Sequence, residues 1–412
     1  MGNDDLWQAP PTQPSLGLAD EEPETAPTGI PDATAYVEPD AAPDPIANLA
    51  DPDLPFWLAL NRVKGIGPSR FRTLIESFGT AGAAWRATPA AWQAAGIDSR
   101  TTAAFATQRR SISPEAERDT LVKLRVGALR LVDPGYPKLL REIAHPPAIL
   151  YVRGTISSED DWAIAIVGTR KVTAYGRHVT QEIAAELAGA RVTVLSGLAR
   201  GVDTVAHTSA LDADGRTLAV LGCGPDLVYP PDNARLAARI IEAGAIVTEF
   251  APGTQPEPGN FPARNRLISG LSLGVLVTEA PDDSGALITC RFAGEQGRDV
   301  FAVPGNVINR TSLGCNRLIQ DGAKLVISAA DILSELNLHL VPQQRELLEA
   351  LPASSAEDAL LRALDAAGGP LHVDELIRET GLPAGEVSAT LAMLELMGRL
   401  RLTGPMSYLR VR

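Results

Sequence analysis

AIAIVGTRKVTAYG, residues 163–176, runs from an apolar strand into a glycine turn and on toward a helix, an arrangement in which chains hold phosphates. The same unit recurs. AIAIVG (163–168), VTVLSG (192–197), TLAVLG (217–222), AIVTEF (245–250), GVLVTEA (274–280), VFAVPG (300–305) and KLVIS (324–328) are strand candidates, and HVTQEIAAELAGA (178–190) and ARLAARIIEAGA (234–245) are helix-like stretches between them. Continuous apolar runs separated by helices predict a parallel sheet covered on both faces, a doubly wound, Rossmann-like α/β domain over residues 160–335. Ligands of such sheets lie beyond the carboxyl ends of the strands, so the residues just after each strand carry the functional reading.

A dinucleotide site needs G-x-G-x-x-G after its first strand and an acidic residue at the end of the second, where it holds ribose hydroxyls. Here the turn is Gly168-Thr169-Arg170, the next glycine is Gly176, and the second strand ends in Ser196-Gly197. NAD is disfavoured, and no G-x-x-x-x-G-K-[ST] loop occurs. The strands are succeeded by small residues and arginines: Arg170, Arg200 in SGLARGVD, and Arg264 and Arg266 in NFPARNRLISG. Guanidinium groups beside glycine turns suit phosphates, and Phe261 offers a stacking surface for a base. Asp203 and His207 in GVDTVAH raise acid–base chemistry, but Asp203 lies where a helix N-cap would, and a lone His among small residues reads as a packing group.

Composition sets outer limits. The 412 residues exceed one compact domain, and 45% hydrophobic with 21% charged residues is ordinary for a globular chain with a sizeable core. Cys223, Cys290 and Cys315 are far apart and form no C-x-x-C pair, so neither a disulfide framework nor a structural zinc is expected. No membrane-length apolar run occurs, and Asp4 and Asp5 stand where a signal peptide carries basic residues. A cytoplasmic protein is expected. The net charge of −13 is unevenly placed: residues 1–50 hold ten acids, nine prolines and no Lys or Arg, and without them 37 basic face 40 acidic groups. Too little of that stretch is apolar to offset chain entropy, and it reads as a disordered acidic tail.

Residues 54–110 read as short helices. LNRVKGIGPSRFRTLIESFG (60–79) places Gly65-Ile66-Gly67 between two helical runs, a helix-hairpin-helix pattern in which Lys64, Gly65, Gly67 and Arg70, with Arg72 nearby, form a secondary candidate DNA contact. Residues 111–159 read as a connecting segment and 336–354 as a linker. Residues 355–412 read as three helices and two short strands, a winged helix whose would-be recognition helix, Ala384 to Met397, carries Glu386 and Glu395 and no basic residue. Groove-reading helices bring Arg, Lys, Asn or Gln, so a protein-contacting or structural role is expected, with Arg399, Arg401, Arg410 and Arg412 as the countervailing charge.

The succession IVGTRKVTAYG, SGLARGVDTVAH, TLAVLGCGPDLVYPPDN, NFPARNRLISGLS, SGALITCRFAGEQGRDVFAVPGN and GCNRLIQDGAKLV resembles the DNA-processing protein A (DprA/Smf) family, in order across about 170 residues. The resemblance implies a non-enzymatic protein of natural transformation, without cofactor or metal. It implies binding of incoming single-stranded DNA, with double strands weaker, protection of that DNA, and loading of RecA recombinase. On this reading the phosphates belong to DNA held by Gly168, Thr169, Arg170, Ser196, Gly197, Arg200, Arg264, Asn265 and Arg266, with Phe261 stacking on a base. It also implies a homodimer through the far end of the sheet, with Ile319 and Leu325 at the interface. Two other functions remain open. A nucleotide phosphoribohydrolase shares this sheet, although EAPDDSGALITCRFAGE (279–295) lacks that group's paired glycines and placed glutamate; a nucleotide-sensing module is the other.

Overall fold

The computed structural model describes residues 49, 51–338, 355–367, 369–396, 400–404 and 406–410. The expected acidic tail, apart from Leu49, and the linker from 339 to 354 lie outside the described residues, as do the side chains of Glu395, Arg399, Arg401, Arg410 and Arg412.

The first helices are α1 (Leu54–Arg62), α2 (Pro68–Phe78), α3 (Ala81–Arg86), α4 (Pro89–Ala94), α5 (Ser99–Gln108) and α6 (Pro114–Leu124). Four of the six open on a Thr, Asp or Ser whose side chain accepts a backbone N–H of the first turn. Asp53 joins α1 to α3, its carboxylate accepting from Trp57 Nε1 at 3.0 Å, Ala81 N at 3.0 Å and Gly82 N at 2.8 Å. The rings of Trp92 and Phe105 stack at 3.9 Å, and the Trp92 indole donates to the Ala84 carbonyl at 2.8 Å. This core continues into Ala128, Ile149, Tyr151 and Ala251, so the helices are seated on one edge of the central sheet.

That sheet has nine strands: β1 (Gly127–Arg130), β2 (Ile149–Gly154), β3 (Ala163–Val167), β4 (Thr193–Ser196), β5 (Thr217–Val220), β6 (Ala245–Thr248), β7 (Gly274–Val277), β8 (Asp299–Ala302) and β9 (Lys324–Leu325). Their order is β1-β2-β6-β5-β4-β3-β7-β8-β9. Strands β3 to β9 are parallel, and the seven expected apolar runs supply all of them. The segment read as a connection, 111–159, instead carries α6 and the antiparallel strands β1 and β2, the latter pairing with β6.

The intervening helices are α7 (Lys138–Arg141), α8 (Ala174–Gly189), α9 (Val202–Asp212), α10 (Ala234–Ala243), α11 (Asn260–Gly270), α12 (Ala286–Glu295), α13 (Leu313–Gln320) and α14 (Ala329–Glu335). Ile164, Ile166 and Phe301 bury one face of the sheet against Ile183 and Leu187 of α8, Ala206 of α9 and Ile332 of α14. Ala165, Val167, Val275 and Val277 bury the other against Leu140 of α7, Leu267 and Ile268 of α11 and Ala293 of α12. Alternate residues of each strand therefore feed two cores, as the doubly wound class requires. From β3 the chain winds outward through β4 and β5 to β6, then returns to lay β7 on the other side of β3. The strand order thus reverses between β3 and β7, and the crevice beyond their carboxyl ends is the topological switch point.

The last helices, α15 (Ser355–Ala367), α16 (Val373–Thr380) and α17 (Ala384–Leu396), with β10 (Leu371–His372), β11 (Leu400–Gly404) and β12 (Ser407–Arg410), form the expected winged helix around Leu360, Leu376, Val387 and Leu391. Among the described residues no helix is long and apolar enough to cross a membrane.

Candidate nucleic-acid interface

At the switch point the backbone of β3 is pressed against that of β7. A Cβ on Gly168 would stand 2.6 Å from the Glu279 carbonyl oxygen, which also accepts from Thr169 N at 2.8 Å. Glu279 is buried at the N-terminus of α8. Its carboxylate accepts from Thr173 N and Thr173 Oγ1, both at 2.8 Å, while Thr173 Oγ1 caps the helix by accepting from Gly176 N at 3.1 Å. Any side chain on Gly176 would overlap that carboxylate. The helix end where a dinucleotide fold seats its pyrophosphate is filled by the protein's own anion. That helix end therefore has no free N-terminus to offer a phosphate.

Beyond β4, burial redirects several expected contacts. Ser196 is fully buried and donates to the Ile166 carbonyl at 2.6 Å. Gly197 is also buried, because the Arg264 guanidinium lies where its Cβ would be. Arg264, expected at a phosphate, is instead buried. It donates to the Gly197 carbonyl at 2.9 Å and to the Val220 carbonyl, and so ties the ends of β4 and β5 together. Burial pulls its pKa down to about 10, against the opposing pull of Asp203. Arg266 is half-buried; it pairs with Glu249 and donates to the His145 carbonyl at 2.9 Å. Asn265 is half-buried and donates to the Gly285 carbonyl at 3.4 Å.

Asp203 and His207 complete this buried layer. Gly201, not Asp203, is the N-cap of α9; the Asp203 carboxylate reaches back to Gly197 N at 3.1 Å and Ala199 N at 3.2 Å. Burial raises its pKa, with the Arg264 charge opposing. His207 Nδ1 meets Thr217 Oγ1 at 2.7 Å, and burial with the nearby Arg264 charge depresses its pKa to about 3. Both groups are buried.

The exposed layer is smaller. Arg170 is exposed at the surface with its guanidinium carbon 6.0 Å from the centroid of the Phe261 ring, a cation–π distance. Lys171, which motif reading passed over, is exposed beside it. Phe261 is half-buried, seated over Gly222 at the end of β5, and tilted at 40° against Tyr229 with 5.5 Å between centroids. Tyr229 was also passed over; its position after β5, the rule applied to the arginines, was the available signal. Arg200 is exposed and pairs with Asp232 at 2.8 Å. In the hairpin between α1 and α2, Gly65 takes the left-handed φ of 101° that a tight turn requires. Lys64 is exposed there, Gly67 opens α2, and Arg70 is engaged with the Gly65 carbonyl at 3.1 Å and Asp98 at 2.9 Å. At the far edge of the sheet Leu325 is exposed, whereas Ile319 packs against the core.

Fold and site together define an α/β protein whose sheet edge offers cations and aromatic rings in place of a cofactor cradle. Three family models match it consecutively: a DprA-like N-terminal HHH domain over residues 53–112, DNA recombination-mediator protein A over 128–337, and a DprA winged helix domain over 342–403. The chain belongs to the DNA recombination-mediator protein A, or DprA/Smf, family, and with that family comes a role in DNA processing. It is 35% identical to the Smf protein of Synechocystis over 397 residues, 88% of this chain and all of that one. It is 44% identical to the DNA processing protein DprA of Streptococcus pneumoniae over 205 residues, 50% of this chain and 72% of the relative. A solved structure of Streptococcus pneumoniae DprA covers 68% of this chain and 97% of its own, at 34% identity and a TM-score of 0.61.

The buried layer is open to two tests. Arg264→Ala strips two carbonyls of their donor and leaves Asp203 buried without its opposing charge; it is expected to cost roughly 3–5 kcal/mol in denaturant unfolding. Loss of DNA affinity without loss of stability would place Arg264 on the surface instead. His207 has a folded pKa below its unfolded value, so below about pH 6.5 the unfolded state binds the extra proton and stability falls as the pH drops toward 3. Its share approaches about 1.4 kcal/mol per pH unit once the pH is well under 6.5. Denaturant titrations from about pH 7.5 to 5 should show a steeper decline for the parent than for His207→Gln.

Proposed function

We propose that the carboxyl edge of this sheet binds single-stranded DNA, shielding incoming strands in the cytoplasm during natural transformation and presenting them to RecA recombinase. The observation that carries the reading is the pairing of Arg170 with Phe261: an exposed cation for the backbone stands 6.0 Å from a ring available to a base. A duplex keeps its bases stacked inside and cannot use that ring, so double strands bind more weakly. Contacts of this kind carry no base code, and affinity is largely indifferent to sequence. The burial of Asp203 and His207 supports a binding rather than a hydrolytic role.

With Arg264 buried and Arg266 paired to Glu249, the reading assigns the phosphate contacts to exposed Arg170, Lys171 and Arg200, the last exchanging Asp232 for the strand. At about −0.7 per phosphate contact, the logarithmic salt slope is about −2 per protomer. The hairpin adds Lys64 and the backbone of Gly65 and Gly67, with Arg70 shared with Asp98 as Arg200 is with Asp232. The winged helix contacts protein in this scheme, because Glu386 is exposed on α17 and that helix has no basic residue. Protomers pair through the sheet edge at β9, where Leu325 is 46% and the adjacent Ile327 73% exposed.

Arg170→Ala is expected to weaken all single-stranded oligonucleotides about equally and to flatten the salt slope by about 0.7. Fluorescence anisotropy across a salt series measures both; a folded variant that binds like the parent at every salt concentration contradicts this placement. Leu325→Arg should give a folded monomer in multi-angle light scattering, whereas a dimer of unchanged mass rules out β9 as the interface.

A further inference from the structure

Across the switch point from Phe261 the rim carries a second cluster, separate from the residues of the proposed strand site. Tyr175, in the first turn of α8, is 49% exposed, and its hydroxyl donates to the Pro304 carbonyl at 2.8 Å, just beyond β8. The loop after Pro304 ends in two aliphatic side chains held out in solvent, Val307 at 74% and Ile308 at 85% exposure. This loop is internally braced: Gly305 exchanges two hydrogen bonds with the Asn316 side chain, at 3.1 and 3.0 Å, and Ile308 N donates to Asn306 Oδ1 at 3.1 Å. Adjacent exposed β-branched residues on a braced loop mark an interaction surface.

We propose that Tyr175, with Val307 and Ile308, forms a second base platform for the same DNA strand, on the far side of Arg170 from Phe261. The inference rests on the single-strand reading of the rim. Its warrant is continuity along one edge: Phe261 sits over the end of β5, Arg170 comes after β3, and Tyr175 is tied to the end of β8. A polyanion laid along the carboxyl edge with its charge at Arg170 and Lys171 places bases to either side, and an exposed aromatic ring tied to a loop that carries exposed aliphatic side chains suits an unstacked base. From β5 to β8 is four strand spacings, about 19 Å. Even extended, at roughly 6 Å per phosphate step, a trinucleotide covers only about 12 Å between its end phosphates. A trinucleotide therefore reaches one platform at a time, and a longer strand reaches both.

The test compares the full chain with Tyr175→Ala, Tyr175→Phe and Ile308→Ser, each titrated with a thymidine trinucleotide and with a strand of about 12 thymidines, within the site sizes usual for such surfaces. Tyr175→Ala should weaken the longer strand by about fivefold or more, the lower end of one base–aromatic stack, with an unchanged salt slope and unchanged trinucleotide binding. Tyr175→Phe keeps the ring and should retain most of the affinity, and Ile308→Ser, at a site too exposed to disturb folding, should weaken the longer strand alone. Equal binding of the longer strand by parent, Tyr175→Ala and Ile308→Ser overturns the platform, as does a shift of Ile308→Ser to a different oligomeric state with DNA binding intact, which makes the loop a protein contact. If the parent binds neither probe, the single-strand reading itself fails; if Arg170→Ala weakens binding and Tyr175→Ala does not, only the platform fails.

Discussion

The carboxylate of Glu279 decides what this sheet can hold. By accepting two hydrogen bonds from Thr173 it satisfies the N-terminus of α8 from within, and its own carbonyl fastens the turn after β3 through Thr169 N. An anion already sits where a doubly wound fold ordinarily recruits one from a nucleotide. The glycines around it reflect that choice, since neither Gly168 nor Gly176 has space for a Cβ. On the proposed reading, binding falls to Arg170, Lys171 and the aromatic rings farther out, a rim suited to an extended polymer.

A second, buried layer supports the rim. Arg264 bridges the ends of β4 and β5, and Asp203 holds the loop from Gly197 to Ala199. Each offsets the other's burial: the Arg264 charge opposes the rise in the Asp203 pKa, and Asp203 opposes the fall in that of Arg264. The turn carrying Arg200 and the helix carrying Phe261 are thus anchored to one another through a buried charged pair. Rigid support of this kind lowers the ordering cost of binding at the surface.

Much of this was legible in the residues. Strands β3 to β7 are buried on both faces, and β8 is at Phe301 and Ala302, so their apolar runs stand out between amphipathic helices. Strand β1 escaped because it is four residues at the sheet edge and GALR gives little apolar signal, whereas β2 carries in ILYV an apolar run of the same kind as the other strands and was open to the same reading. Motif position singled out the arginines of α11 but could not separate their roles. Helical periodicity could have done so for Arg264: with Leu267, Ile268 and Leu271 it falls at i, i+3, i+4 and i+7, the buried face. For Arg266 the deciding partner, Glu249, lies on a different element, and only the fold brings the two together. Lys171, Tyr175 and Tyr229 stand within the quoted glycine-containing stretches but are neither their glycines nor their arginines, and their placement at the rim depends on where loops end.

The most direct measurement of the central claim is photo-cross-linking of an iodouracil-substituted single strand to the full chain, with the attachment sites mapped by peptide mass spectrometry. Attachment is expected along the sheet's carboxyl rim, at Phe261 and Tyr229 and within residues 169–177. Cross-links confined to the α1–α2 hairpin or to the winged helix, with none on that rim, would contradict it.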